Sequence, residues 1–344
     1  MINLNDSKYL QEEFLTKEDL LKNYTDYHIF KLYVGDFTVG ETFRSPIRSG
    51  DNNPSFNIFY SKRNNCLLFK DFAGKRGDFV TLVQEMYNIP NYNDAIQKIA
   101  KDLGLTKSSN DIYNKRLLPV EIKSINKVPY ELTIKRRGWE KTDAAFWKQF
   151  DISPTTLRYY NVVPIEGYFN SNHYVRTPGL AFAYLEYKDD TLTYKVYRPE
   201  ETSRKKWRNN NPYGVHQGYR QLPIGGPLLI ITKALKEVMS LHELYHIPAI
   251  AVQSETCFIK ESVIDEYKRR FKSIVTLFDN DTQGKNQAGA YLRMYEIRPV
   301  FIPEEYKAKN FSDLIYNLNT NNSSTKYIIL NRIREKVFNN LIKI

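Results

Sequence analysis

The sequence predicts an α+β chain whose last third is α/β: a small N-terminal β domain with helices, a mixed α+β middle and a C-terminal parallel sheet. Three observations predict it. From Gly225 onward, short apolar runs alternate with helical patterns, the signature of parallel strands joined by right-handed crossovers. Between Phe56 and Phe69, two strand-like runs flank the polar turn Ser61 to Asn65, and helical spacing follows. Between Leu180 and Tyr197, two further runs flank Asp189-Asp190, as in a hairpin. The boundaries read from these patterns are 1–106, a polar linker at 107–128, 129–224, 225–322 and a terminal helix at 323–344.

Composition narrows the class of partner. Fifty Lys and Arg against 39 Asp and Glu leave a formal charge of +11, which suits a polyanion. The two cysteines, Cys66 and Cys257, exclude a disulfide scaffold or a four-cysteine zinc site and suit a reducing compartment. No apolar run approaches a membrane span and the start lacks a signal-peptide core, so the expected location is the cytoplasm, without membrane contact. No Gly-x-x-x-x-Gly-Lys-Ser/Thr is present. A helicase motor is therefore not expected here, and a separate replicative helicase becomes a plausible partner.

Taken in order, Thr16-Lys-Glu-Asp19 reads as a capping box opening a helix with Leu20, Leu21 and Tyr24. The turn-rich stretch Gly40 to Phe56 carries Arg44 and Arg48. The strands Phe56 to Tyr60 and Cys66 to Phe69 lead into Lys70-Asp-Phe-Ala-Gly-Lys75-Arg76-Gly-Asp78. Helices follow at Phe79 to Met86 and at Tyr92 to Leu103, the second ended by Gly104. In the middle, Glu131 to Arg137 reads as a short strand, and Thr142 as the cap of a helix through Phe146, Trp147 and Phe150. Ser153-Pro154 opens another helix, to Tyr160. Strands are expected at His173 to Arg176, Leu180 to Tyr187 and Thr191 to Tyr197. The loop after them holds Arg198, Arg204, Lys205, Lys206, Trp207 and Arg208, a mixture that suits phosphate contacts and stacking.

The last third carries the chemistry. Leu228 to Thr232 ends in Lys233, with Glu237 one helical turn on. Ala249 to Val252 ends near Glu255. Ile274 to Phe278 ends in Asp279-Asn-Asp281-Thr-Gln-Gly284. Val300 to Ile302 leads to Lys309-Asn310-Phe-Ser-Asp313. Ligands of parallel sheets bind outside the carboxyl ends of the strands, and here four successive ends offer ionisable groups. Asp279 and Asp281, two apart, project to one side if strand geometry persists. A lone Asp-x-Asp also suits a surface turn; its neighbours favour a site. His242-Glu243-Leu-Tyr-His246 spells a zinc-hydrolase signature, but Pro248 follows at once and no later His exists, so that reading is set aside. Ser323 to Ile344, with Leu330, Ile333, Val337 and Leu341, reads as an amphipathic helix that packs on the sheet or docks a partner.

Two stretches resemble a known family. Pro54-Ser-Phe56 and Gly77-Asp-Phe79 are similar to the flanks of the zinc-binding domain of bacterial-type DNA primases. Ser45, Arg48, Lys70 and Ala73 stand where that family has its Cys and His ligands, which implies a zinc-ribbon-like shape with no zinc. Asp279-x-Asp281-x-x-Gly284 and Lys309-Asn310-x-x-Asp313 resemble the Toprim domain, with Lys233-Ala234 in place of its Glu-Gly. The whole looks like the short primases of bacteriophages. The resemblance implies primer synthesis from ribonucleoside triphosphates on single-stranded DNA in the host cytoplasm. It implies a two-metal site for Mg²⁺ or Mn²⁺ on Asp279, Asp281 and Asp313, with Glu237 and Lys233 in the catalytic set. It further implies nucleic-acid or nucleotide contacts from Arg44, Arg48, Lys70, Lys75, Arg76, Arg198, Lys205, Lys206, Trp207, Arg208 and Lys309. A Toprim nuclease and a non-catalytic nucleic-acid-binding protein are the rival implications.

Overall fold

The computed structural model describes residues 15–51, 53–105, 131–188, 191–202, 205–254, 257–321 and 324–339. The expected linker 107–128, the turn Asp189-Asp190, Arg204, Glu255 and Leu341 lie outside them. The chain divides into two compact units, residues 1–37 with 42–124 and residues 38–41 with 125–344.

In the first unit the capping box forms: the Asp19 carboxylate accepts from Thr16 N–H at 3.0 Å and Thr16 Oγ1 accepts from Asp19 N–H at 3.2 Å. It opens helix α1 (Lys17–Asn23), which is followed by α2 (Asp26–Val34). The latter has no counterpart in the sequence reading, because its Tyr, Ile, Phe and Val residues mimic strand composition. Its Tyr27, Ile29, Phe30, Tyr33 and Val34 are buried. An antiparallel sheet runs in order through β1 (Thr42–Phe43), β2 (Phe56–Ser61), β3 (Cys66–Asp71) and β4 (Arg76–Gly77). Alternation along β2 and β3 turns Phe56, Ile58, Leu67 and Phe69 inward. Helices α3 (Phe79–Tyr87) and α4 (Tyr92–Asp102) cover that face with Phe79, Leu82, Val83, Ile96 and Ile99.

The second unit holds two sheets. The first, antiparallel, is built from β5 (Leu132–Arg136), β6 (Val162–Asn170), β7 (His173–Arg176), β8 (Phe182–Lys188), β9 (Thr191–Tyr197) and β10 (Trp207–Asn209). Two of these correct the sequence reading. Strand β6 was masked by Pro164 and Gly167, which normally demote a strand. Pro164 lies beside a register shift between Lys135 and Arg136, and at Gly167 a Cβ would come within 2.5 Å of the Tyr174 hydroxyl. Strand β10 replaces the expected loop, with Trp207 directly opposite Tyr197.

Between β5 and β6 run α5 (Lys141–Lys148) and α6 (Pro154–Tyr159). The N-cap of α5 is Glu140, not Thr142. Buried Asp143 fixes that start by accepting from Glu140 N–H at 2.9 Å while both its oxygens take the Arg137 guanidinium, at 2.6 and 2.7 Å.

The second sheet is parallel throughout, in the order β12-β11-β13-β14. Its strands are β11 (Gly226–Thr232), β12 (Ala249–Ala251), β13 (Phe271–Leu277) and β14 (Arg298–Val300). The helices between and after them are α7 (Leu235–Tyr245), α8 (Glu261–Arg270), α9 (Thr282–Tyr295), α10 (Phe311–Thr320) and α11 (Lys326–Ile333), with a π-type turn at Arg334–Asn339. One apolar core joins residues from both sides of position 225, among them Trp147, Phe182, Leu228, Ile230, Met239, Phe311, Leu330 and Phe338. The C-terminal helix belongs to that core, and its Leu330 carbonyl accepts from the Tyr245 hydroxyl at 2.8 Å.

Candidate active site

Strand β13 is flanked by parallel neighbours on both sides, so its carboxyl end opens onto the middle of the sheet. There Asp279 is fully buried and Asp281 part-exposed. The Asp281 carboxylate has a second duty as N-cap of α9, accepting from Gly284 N–H at 2.8 Å. Gly284 is required for a steric reason: a Cβ there would meet the Asp279 carbonyl oxygen at 2.2 Å. The Asp-x-Asp-x-x-Gly spacing is thus one turn in which the helix start presses on the first carboxylate's backbone. Asn280 anchors the same turn, donating to the carbonyls of Ile302 at 2.8 Å and Ala308 at 3.0 Å.

Lysines surround the pair. Lys233, at the end of β11, donates to Asp279 Oδ2. Lys309 Nζ lies 3.0 Å from the same oxygen and 2.8 Å from Asp281 Oδ2. Asn310, the N-cap of α10, donates to Asp279 Oδ1 at 3.1 Å while its own Oδ1 accepts from Asp313 N–H at 3.0 Å. The Lys309 ammonium holds the Asp281 carboxyl below the usual carboxylate range, and reciprocally the Lys309 ammonium is raised. Glu237 is buried and accepts from the Thr232 hydroxyl through one oxygen; its other oxygen has no partner among the described residues. Burial pushes its carboxyl up to about 7.

Of the expected site residues, Lys233, Asp279, Asp281 and Lys309 meet directly. Glu237 stands behind them, hydrogen-bonded to Thr232. Asp313 turns an oxygen to Lys309 N–H, at 2.8 Å. Sequence reasoning missed Lys236, in the first turn of α7. Its ammonium lies 3.8 Å from the centre of the Phe150 ring. Burial brings it down to about 8, with Lys206 among the charges that act on it. A free-standing Lys beside Lys233 was the available signal.

A divalent ion can be tested against these donors. Lys309 marks a place where one cation shares oxygens of Asp279 and Asp281. Among the described residues no three Asp, Glu, His or Cys groups converge. The pair therefore fits one hard cation completed by water or phosphate oxygens.

The basic loop is held close to this end of the sheet. Gln253, just beyond β12, accepts through its side-chain oxygen from Asn209 and Asn211, both at 3.2 Å. Buried Lys195 donates to Gln217 Oε1 at 3.1 Å and to the Gln253 carbonyl at 3.0 Å. Trp207 stacks on Tyr197 with ring centres 4.4 Å apart and borders an open groove of about 460 Å³ with Asn170, Ser171, Arg208 and Asn209. Lys205 and Arg208 are exposed. Arg198 is largely covered, donating to the Lys205 carbonyl and lying 3.6 Å from Glu201.

In the N-terminal unit, Lys70 and Arg76 are exposed and Arg44 half-buried. Lys75 pairs with Glu85 at 2.8 Å, and Arg48 is engaged by Asp71 at 2.9 Å.

The His242-Glu243-x-x-His246 motif is structural. Glu243 accepts from Ser153 N–H at 3.2 Å, from Ser153 Oγ at 2.9 Å and from Thr156 Oγ1, so it caps α6 from a distance. His242 stacks on Tyr159 with ring centres 5.1 Å apart.

No family model and no curated protein matches the chain. Among solved structures it is similar to DnaG-type and phage T7 primases. The Aquifex aeolicus primase, comprising zinc-binding and RNA polymerase domains, aligns over 92% of this chain and 84% of its own, at 14% identity and a TM-score of 0.40. The bacteriophage T7 lagging-strand polymerase assembly, with primase domains of two gp4 subunits on an RNA/DNA hybrid and dTTP, aligns over 60% and 92%, at 12% identity and 0.41. A DnaG catalytic domain bound to single-stranded DNA aligns over 56% and 71%, at 10% identity and 0.42.

Proposed function

We propose that this chain is a DNA primase, joining ribonucleotides into short primers on single-stranded DNA. One observation carries the reading: Asp279 and Asp281, at the carboxyl end of a central parallel strand, share one ammonium and stand among further lysines. Carboxylates ringed by cations suit a reaction that brings a divalent ion and a polyphosphate to one place. The motif resemblance of both units supplies the substrates. In the reaction, a 3′-hydroxyl oxygen bonds to an α-phosphorus and pyrophosphate leaves.

Mg²⁺ or Mn²⁺ held by Asp279 and Asp281 would supply charge stabilisation at the reacting phosphate. The chain's own residues do the remainder. Lys233 and Asn310 fix the orientation of Asp279. Lys309, half exposed at its side chain, is free to exchange Asp281 for a phosphate oxygen. Lys236 faces the same end of the sheet as a further phosphate contact, and Lys205, Lys206 and Arg208 meet the strand backbone. A separate helicase as partner belongs to the same proposal.

The test is primer synthesis with labelled ribonucleotides, a DNA template and Mg²⁺ or Mn²⁺. Template-dependent products support the proposal. Shortened template identifies a nuclease instead. Strand binding with neither product identifies a non-catalytic binder, the reading favoured by the Lys233–Asp279 pair.

A further inference from the structure

We propose that an ionic latch centred on Asp71 ties together the two loops that a metal would join in a ribbon of this shape. The residues at the expected ligand positions do not fit zinc, which takes thiolate, imidazole or carboxylate donors. Ser45 offers a hydroxyl, Arg48 a cation, Lys70 an exposed ammonium and Ala73 nothing. What stands between the loops is a carboxylate, Asp71, adjacent to Lys70 and two residues before Ala73.

Asp71, at the end of β3, is fully buried. Its Oδ2 accepts from Ser45 Oγ at 2.5 Å and from Arg48 Nε at 2.9 Å, and its Oδ1 accepts from Ala73 N–H at 2.8 Å. Arg48 continues the chain, donating from Nη2 to Ser55 Oγ at 2.5 Å. Asp51 closes it, with Oδ2 accepting from Ser45 N–H at 2.6 Å and from Ser55 Oγ at 2.7 Å. Both Asp71 oxygens and two arms of the Arg48 fork are thereby used. A buried carboxylate survives only when paired and hydrogen-bonded in this way. Burial pushes the Asp71 carboxyl up, yet Arg48, Ser45 and the Ala73 N–H outweigh it and hold the group below the usual carboxylate range.

The latch joins the loop before β2 to the turn after β3, and the backbone bond from Phe72 N–H to the Ser55 carbonyl, 2.8 Å, runs alongside. It also explains a local conflict. Lys70 and Arg76 stand directly opposite each other across β3 and β4, a like-charge pairing that destabilises a sheet. Asp71 fixes the turn that forces them together. The inference does not depend on the nucleotidyl-transfer reading.

Hydrogen exchange on the full-length protein tests it. Asp71→Asn and Arg48→Lys should each speed exchange in peptides 42–56 and 69–77 at least tenfold, with 226–277 unchanged. Arg48→Lys keeps the charge but cannot span Asp71 and Ser55 together. It decides the matter should Asp71→Asn fail to fold. A chelator should leave wild type unchanged. Wild-type exchange in Arg48→Lys would overturn the latch. So would a chelator that speeds the same two peptides, since a bound metal would then be holding the loops.

Discussion

The Lys309 ammonium lies 2.8 Å from Asp281 Oδ2, and it reaches Asp279 Oδ2 at 3.0 Å from the same position. A single positive charge thus holds two carboxylates that the sequence places two positions apart. The two differ in what they can lose. Asp279 is buried with Lys233 and Lys309 upon it, so removing its charge breaks an ion pair whose carboxylate is fully covered. Asp281 is part-exposed.

Asp281→Asn is accordingly the clean probe of catalysis. Asn serves as an N-cap about as well as Asp, so α9 should start normally and the thermal midpoint should stay close to that of wild type. Metal-dependent synthesis should fall about 10²–10³-fold, the usual cost of one lost electrostatic contact in a reacting site. Asp279→Asn should also lose synthesis, but with destabilisation of roughly 3–5 kcal/mol from the broken buried pair. Thermal melts and single-turnover assays of both variants check the contrast.

Gly284→Ala tests the turn itself. With the Asp279 carbonyl oxygen 2.2 Å from the new Cβ, backbone must move, and overpacking of this kind costs about 1–3 kcal/mol. Both carboxylates shift with it. The expected result is a lower thermal midpoint together with lost synthesis. Unchanged activity would separate the glycine from the site.

Much of this was legible in the sequence, for reasons that differ by element. The parallel sheet showed itself because each of its strands is a short apolar run ended by a turn. The capping box at Thr16 and Asp19 uses contacts three residues apart, which sequence displays directly. Strand β6 hid behind Pro164, which sits beside the point where β6 itself bulges as its register with β5 shifts. The roles of Asp71 and Glu243 were invisible, since Glu243 caps a helix 90 residues away. Lys236 was passed over because only the fold puts Phe150 beneath it.

Glu237 should impress a pH dependence on stability in metal-free buffer. Its carboxyl is raised from an ordinary 4.5 to about 7 by burial, against Thr232, Lys233 and Lys236 and with Asp279 adding to the rise. Between those values the folded protein holds a proton that the unfolded chain has released, so stability falls as pH rises. The contribution is complete below about 4.5 and gone above about 7. Glu237→Gln should flatten this slope and raise the thermal midpoint at pH 8. A melt series from pH 5 to 8 on both proteins measures it. Equal slopes would mean that Glu237 titrates alike in both states.

Lys236→Met separates phosphate binding from strand binding. The Met side chain keeps apolar contact with Phe150 while the charge is removed. KM for ribonucleotides should rise about tenfold, the equivalent of about 1.4 kcal/mol, and single-strand affinity should hold. An unchanged KM would return Lys236 to a packing role.

The basic loop proposed to meet the strand makes the last prediction, and its contacts say which cations are suited to the test. Arg198 is excluded, because its guanidinium pins the loop by donating to the Lys205 carbonyl beside Glu201. Its loss would disorder the loop and confuse the outcome. Lys205 and Arg208 are exposed, and Lys206 lies 5.9 Å from the Tyr197 ring. No carboxylate within ion-pair distance of these three is found among the described residues. Cations so placed neutralise phosphates and release counterions, each phosphate contact adding about 0.7 to the salt slope on single strands. Replacing all three with Ala should lower single-strand affinity and flatten the slope of log affinity against log salt by about 2. Trp207→Ala should weaken binding without changing the slope, because stacking releases no counterions. Titrations at several salt concentrations distinguish the two. A triple variant with the wild-type slope would leave these cations as a solvated edge of the sheet.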